Sequence, residues 1–428
     1  MLTYDGIGVS GGSVVAPVVL VIPPQPLPDE PPSTDHEGDL AKITAALETV
    51  AQDLERRASA LAGDTQAMVE AAAGVLNLAP GTRVALDADQ GRLVVDPSDD
   101  LVAELTARRE RKQRVHTVSG PGRTADGHAV QLLANIGGAA DAEAAGAQDV
   151  EGVGLFRTEF VYLDAQEAPS VAEQAASYAA VLAPFGSRPV TVRTLDAGAD
   201  KPLAFADLGP EPNPALGRRG LRLMQERVDL LDAQLQALAA AQATTGAVVK
   251  VMAPMVATVA EAQWFAERAH AAGLAVAGTM IEVPAAALRA GQVLQHCDFA
   301  SLGTNDLAQY AMAADRIVGE LSDLLDPFQP AVLDLVAAAC SGGRETGKPV
   351  GVCGESGGDP LMALVLTGLG VTSLSMSPSR VPTVRYALSL HTLAQCQAMA
   401  EQALAAADAR AARDAVATLA KPELLEVL

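Results

Sequence analysis

Cysteine is scarce in this chain. Four thiols, Cys297, Cys340, Cys353 and Cys396, are scattered through 428 residues with no Cys-x-x-Cys pair. That excludes a disulfide framework and a zinc ribbon, and it fits a reducing, cytoplasmic compartment. Aromatics are scarcer still in proportion: seven Phe, five Tyr and one Trp are too few to build stacking platforms for single-stranded nucleic acid. Basic charge is outnumbered, with 30 Lys and Arg against 52 Asp and Glu, a net charge of −22. A surface that acidic repels nucleic acid and anionic membranes, so any anionic ligand must be held by a few locally placed cations. The first apolar run, Val14 to Ile22, is too short to cross a bilayer and has no basic flank, so neither a membrane anchor nor an export leader is expected. Apolar residues nevertheless make up 49% of the chain, enough for a sizeable core.

The remaining pattern falls into two textures. Gly6 to Ile22 reads as a glycine turn and a strand, and Pro23 to Pro32 as a connector. Leu40, Ile43, Leu47, Val50, Leu54 and Leu61 then form the narrow apolar seam of one helix. Thr82–Leu86 and Gly91–Val95 predict a hairpin around Asp87-Ala88-Asp89-Gln90, and Asp99 to Arg114 predicts a helix with a basic C-terminal end. Beyond the linker at Ser119-Gly120-Pro121-Gly122, strand and helix alternate. The predicted strands are Val130–Ile136, Gly152–Phe156, Val190–Leu195, Val248–Met252, Gly278–Ile281, Phe299–Leu302, Val350–Cys353 and Thr372–Ser375. Eight such units in about 300 residues predict a (β/α)8 barrel, with a doubly wound open sheet as the alternative. The expected domains are a small, incomplete N-terminal α/β domain over residues 1–97, a linker helix and loop over 98–125, and the barrel over 126–428.

In such a barrel, chemistry sits where strands end and βα loops begin. Polar residues recur there: Arg157-Thr158-Glu159, Arg193 followed by Asp196 and Lys201, Glu282, Asn305-Asp306, and Cys353-Gly354-Glu355. The forked guanidinium groups of Arg157 and Arg193 suit phosphate or carboxylate oxygens. Glu282 and Asp306 could supply two carboxylates to magnesium, which commonly binds one or two carboxylates plus a substrate phosphate. Cys353 is either a buried inert thiol or a proton donor. Two nucleotide-like motifs fail on context. Gly6-Ile7-Gly8-Val9-Ser10-Gly11 opens a strand-like run and no helix, and Gly342 to Lys348 is followed by Pro349 where a P-loop needs Ser or Thr.

The segments Gly152–Phe160, Val192-Arg193-Thr194-Leu195-Asp196, Asn213-Pro214-Ala215-Leu216-Gly217, Gly303-Thr304-Asn305-Asp306-Leu307 and Val352-Cys353-Gly354-Glu355 resemble the phosphoenolpyruvate-binding barrel of enzyme I, the phosphotransferase that starts the bacterial sugar phosphotransferase system. The resemblance runs in order from about Asp126 to Leu428, and continues through Phe160-Val161-Tyr162-Leu163-Asp164. Related dikinases and synthases share the barrel, but nothing in this sequence looks like their nucleotide-binding domain. The resemblance implies that Arg157, Arg193 and Arg316 bind phosphoenolpyruvate beside Asn305 and Asp306, with Lys201 and Arg219 as auxiliary cations. It implies Mg2+ on Glu282 and Asp306, and Cys353 as proton donor to the enolate that becomes pyruvate. It further implies a homodimer, and the small phosphocarrier protein as partner.

The N-terminal third departs from that pattern. Enzyme I carries its phosphoryl group on a histidine in a Gly-Gly-x-Thr-Ser-His-like segment beside a carrier-docking helical domain. Here none of His36, His116, His128, His270, His296 and His391 has that context. Residues 1–62 resemble the beginning of the family's first half and Met68–Pro97 the end of its swivelling domain. The expectation is therefore a segment missing near Gly63 to Ala67 and phosphoenolpyruvate binding without self-phosphorylation, with a non-catalytic binding and dimerisation module, or a related phosphoenolpyruvate- or pyruvate-utilising enzyme, as alternatives.

Overall fold

The computed structural model describes residues 3–5, 83–87 and 92–428, less positions 163, 164, 166, 199–202, 204, 207, 208, 210 and 317. The glycine turn and strand, the proline connector, the helix from Asp39, the Gly63–Ala67 junction, His36 and Lys201 lie outside the described residues. The chain divides into two compact units, Met1–Gln113 and Arg114–Leu428.

In the first unit, β2 (Val84–Asp87) and β3 (Arg92–Val95) pair antiparallel from Val84↔Val95 to Asp87↔Arg92, the hairpin expected from its turn residues. A third strand, β1 (Thr3–Asp5), adds to the other edge of β3. The helix Asp99–Gln113 follows, with Asp99 and Asp100 in its first turn, where carboxylates complement the helix dipole.

The second unit is a closed parallel barrel. Its strands are β4 (Gln131–Ile136), β5 (Val153–Arg157), β6 (Val190–Arg193), β7 (Val249–Ala253), β8 (Ala277–Ile281), β9 (Phe299–Leu302), β10 (Val350–Val352) and β11 (Ser373–Met376). Each overlaps one of the eight runs expected from sequence. Strands pair in chain order, and the β11–β4 ladder, from Ser373↔Gln131 to Met376↔Ala134, closes the ring. That closure excludes the open doubly wound sheet.

The pleat divides the core into two shells. Side chains such as Val190, Val192, Val249 and Val251 face outward into the layer beneath the helices, while Leu155, Met252, Met280, Phe299 and Cys353 pack together as a second, smaller cluster. The surrounding helices answer with one apolar stripe each. Val228–Thr245 buries Leu231, Leu235, Leu238 and Ala241 at steps of four, three and three, each buried Leu being worth about 1.5–3 kcal/mol. Helix starts are specified by reciprocal capping boxes, Ser170 with Glu173 and Thr258 with Glu261. Gly342 and Gly343 of the false P-loop serve packing, and Gly347 ends the helix in a left-handed cap. Gly342 lies within helix Pro330–Thr346, where a Cβ would come within 2.3 Å of the Gly291 amide nitrogen, so the motif marks a close helix crossing.

Candidate active site

Arg193 ends β6 and Arg157 ends β5, in register with each other, yet their surroundings differ. Arg157 is exposed on the rim. Arg193 is buried, its Nη2 donates to Glu159 Oε1, and its Nη1 lies 3.2 Å from Asp196 Oδ2. Burial works against the Arg193 charge, but Glu159 and Asp196 outweigh it and raise its pKa. The chain of ions continues. Arg219 Nη2 donates to Asp196 Oδ2 at 2.9 Å and its Nη1 to Asp306 Oδ1 at 3.1 Å, while Arg316 Nη1 stands 3.6 Å from Asp306 Oδ2. Elements far apart in sequence thus place Arg193, Arg219, Arg316, Asp196 and Asp306 in one network at the C-terminal ends of the strands. Among the described residues, two buried atoms here have no hydrogen-bond partner, Arg193 Nε and Glu159 Oε2.

Glu282 follows β8 and is 1% exposed. Its Oε1 accepts from the Met255 amide at 2.6 Å. Met255 itself adopts φ +58°, a left-handed conformation costing a non-glycine residue about 1–2 kcal/mol. Burial, reinforced by Asp306 and Asp196, pushes the Glu282 carboxyl up to about 8. Carboxylates are therefore crowded here beyond what the arginines neutralise. Among the described residues no preformed group of three or more His, Cys, Asp or Glu could hold a metal alone. Glu282 and Asp306 are nevertheless hard oxygen donors, and a divalent cation would relieve the crowding that Glu282 reports.

Cys353 follows β10, inside the barrel. Its Sγ faces the Leu302 carbonyl at 3.6 Å, and burial pushes the thiol up to about 11, so it is protonated at neutral pH. The next residue must be glycine, because a Cβ on Gly354 would fall 1.9 Å from Thr304 Oγ1. Asn305, in the first turn of helix Thr304–Met312, accepts from the Glu355 amide at 3.3 Å and so ties that turn to the loop after Cys353. All four cysteines are free and buried.

Several participants carry no motif in the sequence. Tyr310 donates to the Ala215 carbonyl and receives from Arg219 Nη1 at 3.4 Å, and burial pushes its hydroxyl up to about 12. Gln234 lies on the buried face of a helix, where a polar residue interrupts an apolar stripe. Its Nε2 donates to Thr158 Oγ1 and Tyr178 Oη at 3.1 Å each, and its Oε1 accepts from the Leu195 amide at 3.0 Å. Thr158 Oγ1 in turn donates to the Arg193 carbonyl at 2.9 Å. One buried amide thus couples the loops after β5 and β6. The interruption was the available signal, but a polar residue on a helix does not by itself name the loops it will reach.

Residues 110–392 match the family described as PEP-utilising enzyme, PEP-binding domain, and residues 5–78 match PEP-utilising enzyme, N-terminal. A phosphoenolpyruvate-protein phosphotransferase of Streptomyces coelicolor is 53% identical over 350 residues, covering 81% of this chain and 63% of the relative. One from Haloferax volcanii is 42% identical over 339 residues, covering 76% of this chain and 59% of the relative. A third, from Bacillus subtilis, is 32% identical over 422 residues, covering 93% of this chain and 72% of the relative. The chain thus spans less than two thirds of the first two of these relatives. Membership is plain from the span of the domain match together with the Bacillus alignment: the chain belongs to the PEP-utilising enzyme family and, within it, to the phosphoenolpyruvate-protein phosphotransferases.

Proposed function

We propose that this chain binds phosphoenolpyruvate at the C-terminal mouth of the barrel and acts as the donor half of a phosphoryl transfer to a protein histidine. The observation that carries this is the buried network Glu159–Arg193–Asp196–Arg219–Asp306, which holds two guanidinium groups at strand ends with Arg193 Nε unpartnered. A phosphate or carboxylate oxygen is the natural partner for that donor, and Arg157 on the rim and Arg316 beside Asp306 add charge where a multiply anionic ligand enters. Lys201, which follows β6 in sequence, is a further cation on this reading.

Glu282 and Asp306 would hold magnesium, which when bound neutralises charge on a transferring phosphoryl group. The chain's own groups do the rest. Arginines bind and orient the anion, Asn305 fixes the loop that carries Cys353, and the protonated thiol of Cys353 donates to the enolate carbon left after phosphoryl loss, giving pyruvate. The wider reading is a cytoplasmic homodimer serving sugar uptake through a phosphocarrier protein. Among the described residues, no single helix is long and apolar enough to cross a membrane.

Transfer also needs an in-line nucleophile, and none of the six histidines lies in a Gly-Gly-x-Thr-Ser-His setting. We therefore expect calorimetry to detect magnesium-dependent phosphoenolpyruvate binding, and intact-mass analysis after incubation to show no phosphoryl adduct. Absence of binding sinks the assignment of the mouth. A stoichiometric adduct sinks the expectation that the chain does not phosphorylate itself. The same histidine census favours one second reading, a non-catalytic module. Mixing the chain with an intact relative separates the two, since restored transfer supports the donor role and loss of carrier labelling supports the module.

A further inference from the structure

The opposite, N-terminal mouth of the barrel has its own polar interior. A cavity of about 70 Å³ opens there, lined by the first residues of the strands, among them Gln131 of β4, Thr191 of β6, Lys250 of β7, Phe299 and Ser301 of β9 and Ser373 of β11. One water needs about 10–15 Å³ measured this way, so the space takes several waters or one small solute. Among the described residues no Asp or Glu lines it, and Lys250 is the charged residue that does. In a chain of net charge −22, a cation is thus set apart from every carboxylate in its surroundings.

The Lys250 ammonium makes no hydrogen bond or ion pair among the described residues, and it rests 4.9 Å from the centroid of the Phe299 ring. Burial lowers its pKa with no carboxylate to oppose the shift. Three neutral donors share the space: the side-chain carboxamide of Gln131 and the hydroxyls of Thr191 and Ser373 also have no hydrogen-bond partner among the described residues. Backbone spacing keeps the cavity narrow and polar. A Cβ on Gly351 would strike Ser373 Oγ at 2.2 Å, and one on Gly154 would strike Ser375 Oγ at 2.5 Å, so these glycines leave the hydroxyls room.

A partly desolvated cation without a counterion, ringed by unused donors, is complementary to an oxyanion. We propose that the N-terminal mouth is a second ligand site, taking a small phosphate- or carboxylate-bearing anion on Lys250, Thr191, Ser373 and Gln131. It lies at the other end of the strands from Arg193 and does not depend on what binds there.

Trace acetylation of the whole chain with acetic anhydride, read by peptide mass spectrometry, reports each of its six lysines separately. Titration with inorganic phosphate should slow modification of Lys250 several-fold while Lys348 and Lys421 keep their rates. A parallel titration with acetate distinguishes a phosphate site from a carboxylate site, and protection by either supports the proposal. In Arg157→Gln, altered only at the far mouth, the half-protecting concentration should not move. In Lys250→Met, the phosphate-dependent rise in melting temperature should shrink. The proposal is overturned if neither anion protects Lys250, if chloride at equal ionic strength protects as well, or if protection vanishes in Arg157→Gln.

Discussion

The two mouths of the barrel are built from the same eight strands and handle charge in opposite ways. At the C-terminal mouth, Arg193 and Arg219 are buried against Glu159, Asp196 and Asp306, each ion held by at least one of opposite sign. At the N-terminal mouth, Lys250 stands over an aromatic ring with hydroxyls for neighbours. Charge that is buried and paired is costly to disturb, because removing one member strands the other, whereas a lone, partly open ammonium strands nothing when it is removed. The position of a cation along its strand therefore sets both its energetics and what it can bind.

The largest expected effect breaks or keeps that contrast directly. Arg193→Met leaves Glu159 and Asp196 buried with less compensation and should destabilise the barrel by about 3–5 kcal/mol, with loss of phosphoenolpyruvate binding. Lys250→Met should leave stability within about 1 kcal/mol of the parent, the lost cation–π contact being offset by the relieved desolvation. Thermal or urea unfolding of both variants decides the matter, and equal losses would mean that the mouths do not differ as described.

Glu282→Gln sharpens the comparison from the acidic side. It removes a carboxyl that burial, Asp306 and Asp196 already disfavour as an anion, so the ligand-free protein should be as stable as the parent or more so. Magnesium-dependent phosphoenolpyruvate binding should fall at least about ten-fold, the scale of about 1.4 kcal/mol expected for one lost ligand interaction. Calorimetry with and without magnesium reads it. Gln234→Met tests how the upper mouth is held in place. It leaves the Leu195 amide without its acceptor and should cost about 1–3 kcal/mol, with weaker phosphoenolpyruvate binding although Gln234 hydrogen-bonds to no arginine side chain among the described residues.

The barrel was legible because its cause is repetitive. Eight apolar runs at helical separations leave few ways to satisfy both the pleat and the covering helices, so even the span Phe299–Leu302 agrees with β9. The arginines were legible because strand ends are where a barrel collects its polar groups. What the sequence conceals is mutual geometry. Nothing in Arg157 or Arg193 says that one is exposed and the other is locked between two carboxylates, since the partners come from loops after different strands. Tyr310 and Gln234 were equally hidden, each being one polar residue on a helix whose partner is chosen by the fold. Lys250 was hidden for the opposite reason, as a charge near the start of an apolar strand with no motif around it.

The smallest effect lies on the N-terminal side, at a buried histidine beside the segment that leads into β4, and it runs opposite in sign to the raised carboxyl of the upper mouth. His391 Nδ1 pairs with the Ala387 carbonyl at 2.8 Å, its Nε2 accepts from the Lys421 amide at 3.0 Å, and its own carbonyl accepts from the Ala125 amide at 2.9 Å. That arrangement requires the neutral ring with its proton on Nδ1, because a protonated Nε2 could not accept from Lys421. Burial accordingly lowers the pKa from its ordinary 6.5, despite the opposing bond to Ala387. The folded state therefore binds this proton less readily than the unfolded state does. The full contribution of His391 is present above pH 6.5, and it declines as pH falls below 6.5 until the folded ring itself protonates. His391→Gln should cost about 1 kcal/mol at neutral pH through the weakened hydrogen bonds, and should flatten the loss of melting temperature between pH 7 and the folded-state pKa. Parallel slopes for parent and variant would mean that the imidazole titrates alike in both states.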